Sequence, residues 1–104
     1  MPRCSTYTAG VGQQVVRRRL TDVHQRLVKA REELAVVEEQ LLVFDETADE
    51  ARIRSLVSET PLANHDLSEA RRHADAMRRG RDDVRARVVE LERAQDELLA
   101  KLVV

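Results

Sequence analysis

Cysteine, proline, glycine and aromatic side chains are all scarce in this chain: one cysteine, two prolines, three glycines, one tyrosine, one phenylalanine and no tryptophan in 104 residues. With Cys4 alone, no internal disulfide can form, and the cysteine framework that staples small secreted domains is missing. So few glycines and prolines exclude the many tight turns of an all-β domain, and Tyr7 and Phe44 leave little for an ordinary globular core. Neither sign of charge prevails, since 18 basic residues nearly cancel 19 acidic ones for a net charge of -1, which argues against a polybasic or an acidic tail. No stretch approaches the ~18 consecutive apolar residues of a membrane span. The first twenty residues hold no apolar run resembling a signal-peptide core. The expected compartment is the cytoplasm.

What is abundant is period. Residues 1–12, with Pro, Ser, Thr and two glycines and no apolar rhythm, read as a flexible N-terminal tail. Beyond them the only proline is Pro61 and the only glycine is Gly80. Thr60 before Pro61 reads as an N-cap and first helical position, because Pro has no N–H to lose there. The hairpin over 13–104 is therefore expected as a helix at about 13–58, a bend at about 59–62 and a helix at about 63–103. In the first helix Val16, Leu20, Val23, Leu27, Ala30, Leu34, Val37, Leu41, Phe44, Ala48 and Ala51 follow at alternating steps of four and three. In the second, Ala63, Leu67, Ala70, Ala74, Met77, Arg81, Val84, Val88, Leu91, Gln95, Leu98 and Leu102 keep that rhythm. Apolar residues fill 21 of these 23 seam positions, where the 42% hydrophobic content alone would place roughly ten. The fold class is all-α: an antiparallel two-helix coiled-coil hairpin, whose dimer would be a four-helix bundle.

Folding back at residues 58–60 pairs positions whose numbers sum to 118, so that Leu41 meets Met77 and Leu34 meets Val84. This register brings Glu33 near Arg87, Glu38 near Arg78, Asp45 near Arg71, Arg54 near Asp66 and His24 near Glu92. It also sets Arg31 beside Arg85 and Arg19 beside Lys101. The two polar seam residues, Arg81 and Gln95, read as register devices, with Arg81 expected to reach toward Glu38 or Glu33. Thr47, Ala48, Asp49 and Glu50 match a capping box, which offers a second break near Phe44 to Glu46. Past that point Ile53, Leu56 and Val57 read as a shift of phase.

Apolar residues remain outside the seam. Val28, Ala35 and Leu42 share one outer heptad position, Val36 and Val43 the next, and Val89 and Leu99 lie off the seam of the second helix. Contiguous exposed apolar surface usually marks contacts, so these seven are the candidate interface, with a second copy or another helical protein as partner. Seven arginines fall between Arg71 and Arg87 for a local charge of +4, while residues 32–59 hold nine acids against two bases. The arginine face is the candidate nucleic-acid contact, though it has no aromatic side chains for stacking. His65, Glu69 and His73 recur every four residues, without the spacing of a zinc-protease helix or of a di-iron bundle. No metal, cofactor or catalytic constellation is expected, and the chain reads as a non-catalytic interaction or scaffold module. With acidic Glu59, Asp66 and Glu69 near the bend, the hairpin resembles in shape the coiled-coil arms of transcript-cleavage factors of the Gre family. That resemblance implies a regulator that inserts an acidic tip into RNA polymerase. It covers the hairpin alone and leaves no residues for the globular domain of those factors.

Overall fold

With Pro61 the only proline beyond the second residue, the sustained 3.5-residue period favours long helices. In the computed structural model the chain is α1 (Pro2–Ser58) followed by α2 (Pro61–Lys101). Backbone is described for residues 2–102 and side chains for residues 12–102. Helical backbone runs back to Pro2, a residue whose missing N–H costs nothing in a first turn. The helix thus starts well before the expected position of about 13, and the side chains of residues 1–11, most of the expected flexible tail, lie outside the described residues. No break occurs at Phe44 to Glu46. Thr47 does not cap: its Oγ1 donates to the Val43 carbonyl at 2.9 Å, the back-bond of a threonine inside a helix.

The turn is two residues, Glu59 and Thr60. Glu59 adopts φ 47°, the left-handed conformation that closes an α-helix, and its N–H donates to the Ser55 carbonyl at 3.0 Å. Thr60 caps α2 as the sequence predicts: its Oγ1 accepts from the Ala63 N–H at 3.1 Å, and its carbonyl accepts from the Asn64 N–H at 3.1 Å.

The chain divides into two packing units. One comprises Met1–Arg31 with Ala86–Val104, the other Glu32–Arg85. In the first, Leu27 is wholly buried, with Ala30, Val88 and Leu98 also in the core, and Gln13 Nε2 donates to the Lys101 carbonyl at 3.2 Å. In the second, Leu41, Ala51, Ala70, Ala74 and Val84 are buried. Its register follows from two contacts near the predicted level: Ser55 Oγ donates to Asn64 Oδ1 at 2.5 Å, and the rings of Phe44 and His73 lie 6.2 Å apart at 39°.

Burial follows the 3.5-residue period. Every position of the seam from Gln13 to Ser55, and from Ala63 to Leu102, is buried or half-buried. The phase does not shift toward the turn. Ser55 continues the seam, with its hydroxyl satisfied by Asn64, while Ile53, Leu56 and Val57 are exposed. Outside the seam only Glu38, Asp45, Gly80 and Ala94 escape full exposure among the described residues.

Candidate functional site

Glu38 and Asp45 are half-buried because arginines of α2 close over them. Asp45 accepts from Arg78 at 2.5 Å, Arg78 also binds Asp75 at 2.8 Å, and Glu38 accepts from Arg85 at 3.1 Å. Both cross-helix pairs differ from the expected ones, in each case by one heptad toward the C-terminus of α2. The reason is the tilt of helical side chains toward their own N-terminus. In an antiparallel pair the tilts converge for residues whose numbers sum above the backbone register. They diverge for the expected pairs, Glu38 with Arg78 and Asp45 with Arg71.

Arg81 is half-buried at its seam position, but it does not reach Glu38 or Glu33. It binds its chain neighbour Asp82 through Nη2 at 3.0 Å and Nε at 3.1 Å, while Glu38 is held by Arg85. Gln95 is half-buried in the other unit. Arg54 and Asp66 both line a small cavity of about 180 Å³ beside the turn without forming an ion pair.

The arginine-rich stretch is partly neutralised. Within Glu32–Arg85, Arg78, Arg81 and Arg85 bind carboxylates, leaving Arg71, Arg72 and Arg79 outside any ion pair among the described residues. An open cleft of about 560 Å³ beside Asp45 holds three acids, Asp45, Asp49 and Asp75, against Arg52, Arg71 and Arg78. Its charges compensate one another, so it makes no anion or cation trap.

His65, Glu69 and His73 do not converge. His65 lies 3.5 Å from Glu69, whereas His73 packs its ring against Phe44. Among the described residues no group of three or more His, Cys, Asp or Glu side chains could hold a metal ion. No helix among them is long and apolar enough to cross a membrane.

All seven candidate interface residues are exposed. Ala35, Val36, Leu42 and Val43 belong to the Glu32–Arg85 unit, with Leu42 at 64% and Val43 at 61% exposure. Val28, Val89 and Leu99 belong to the other. The candidate tip residues Glu59, Asp66 and Glu69 are exposed as well, but acids do not dominate that end. Ile53, Leu56, Val57 and Leu62 surround the turn, and Val57 at 80% is the most exposed large apolar residue described. The apparent shift of phase at Ile53, Leu56 and Val57 hid this surface in the sequence. The signal that finds them is Ser55, which holds the seam's place. No protein-family model, curated protein or solved structure matches this chain.

Proposed function

We propose that the chain is a non-catalytic interaction module, which buries the outer apolar surface of α1 against a second helical surface, its own or a partner's. The observation that carries this reading is the contrast within one helix. The seam takes every position its period offers, yet Val36, Leu42, Val43, Ile53, Leu56 and Val57 stay outside it and exposed. Solvent-facing positions of a helix with no partner would carry charge, as Glu39, Glu46 and Glu50 do beside them. A patch of this kind, rimmed by charged residues, is the ordinary mark of a contact surface. The arginine stretch supports a nucleic-acid role less well, since half its charge in this unit is bound to carboxylates.

The test is the double variant Val36→Glu, Val43→Glu. It should retain full helical circular dichroism, because both side chains lie outside the seam. It should also lose whatever self-association or complex the parent chain shows in sedimentation and in purification from its native cell. Equal association by parent and variant would remove the reading.

A further inference from the structure

Resting on that reading, we propose that the occupant of the outer α1 surface is a second copy of this chain, with α1 of each copy antiparallel to α2 of the other and both turns at the same end. Charge decides the arrangement. Glu39 and Glu46 share the heptad position that points directly away from the α1 seam, and Arg72 and Arg79 share the equivalent position on α2. All four are exposed, and none has an ion-pair or hydrogen-bond partner among the described residues. Glu39 is level with Arg79 and Glu46 with Arg72, in the register marked by Ser55 with Asn64 and Phe44 with His73.

Pointing in opposite directions, these charges cannot meet within one chain. A two-fold axis parallel to the helices lays α1 of one copy along α2 of the other at the same level, which sets the Glu39 and Glu46 row beside the Arg72 and Arg79 row of the second copy, and the same side-chain tilt makes Glu46 converge on Arg79. Such an interface is self-complementary, and each pairing occurs twice. The other symmetric choice, α1 against α1 with its axis midway between Glu39 and Glu46, sets these acids against their own copies.

One side of the unit is better suited to this contact. The side bearing Glu38, Asp45, Arg78 and Arg85 is closed by cross-helix ion pairs. The opposite side, marked by the Phe44 and His73 ring contact, presents Val36, Gln40, Val43 and Thr47 from α1 at steps of four and three. From α2 it presents His73, Ala76 and Gly80, where a Cβ added at Gly80 would meet nothing within 4 Å. These are two further short rows of 3.5-residue period, uncharged over residues 36–47 and 73–80 and bounded on α2 by Glu69 and by Asp83, which is nearly level with Val36 of the second copy. Val57 and Leu62 lie on the same side at the turn, beyond Glu50 and Arg54 of α1 and Asp66 and Glu69 of α2. One like-charge meeting accompanies the register, Glu50 nearly level with Glu69 of the second copy.

The experiment is a charge exchange read by analytical ultracentrifugation. The parent chain should be dimeric at high micromolar concentration. The variants Glu39→Arg with Glu46→Arg, and Arg72→Glu with Arg79→Glu, should each stay helical and bind themselves at least tenfold more weakly. Mixed in equal amounts they should form a heterodimer of parental affinity, because both α1 to α2 contacts then join opposite charges. Val43→Glu should disrupt the parent dimer and Leu42→Glu should not. A parent dimer unaffected by either charge variant, or variants that fail to rescue each other, would overturn the arrangement while leaving the interaction surface intact. A monomeric parent would overturn the second copy as occupant, and the double variant Val36→Glu, Val43→Glu would then decide between a foreign helical partner and none.

Discussion

Glu59 is the residue at which local preference yields to the fold. Its φ of 47° is a conformation that costs an L-residue roughly 1 kcal/mol or more, and its carboxylate sits at the negative end of the α1 dipole. A glycine at this position would remove both penalties at some cost in unfolded-state entropy. Glu59→Gly should therefore stabilise the chain by about 1 kcal/mol in urea unfolding, and an unchanged or lower midpoint would refute this account. The sequence showed that a bend falls here, from Thr60 and Pro61, but no residue type announced which position would turn left-handed. Arg81 shows a similar boundary. Its seam position follows from the period, whereas its partner Asp82 is an adjacent carboxylate and not one across the helix pair, which the period does not specify.

At the scale of the element, the two helices and their seams were legible from about residue 13 onward, because a 3.5-residue apolar repeat sustained over so many turns favours packed helices, whereas residues 2–12 carry no such repeat and their helix was not. The exposed residues beside them were legible for the same reason. What escaped was direction. Ion pairs between helices depend on side-chain tilt as well as on level, so Asp45 and Glu38 each bind an arginine one heptad from the expected one. The apolar surround of the turn escaped because Ile53, Leu56 and Val57 read as a seam shifted in phase, whereas Ser55 continues the seam and leaves them exposed. The seam and the outer face should also differ energetically. Leu27, with no exposed surface, should cost about 2 to 5 kcal/mol when cut to Ala, measured by chemical denaturation. Val36→Ala, at an exposed position, should change the isolated chain by no more than about 0.5 kcal/mol.

For the molecule as a whole, a binding event that only folded chains can make couples stability to concentration. If the second copy is the partner, the melting midpoint should rise by about 5 °C or more between low and high micromolar protein, and the charge-exchanged variants should lose that dependence. A concentration-independent midpoint in the parent would count against self-association. The short turn adds a constraint of its own on how copies can combine. Were Glu59 and Thr60 to become helical, the α1 seam would run on through Ser58, Leu62 and His65, one residue out of phase with Ala63, Leu67 and Ala70. Pro61 would then lie inside a helix, at a cost of ~3 kcal/mol, with its ring against the Val57 carbonyl. Straightening into one continuous helix that lends its second half to a neighbour is thereby disfavoured by that cost and by the loss of phase. In the proposed dimer, copies would accordingly meet and part as folded chains, and subunit trading would follow dissociation sooner than the opening of either one.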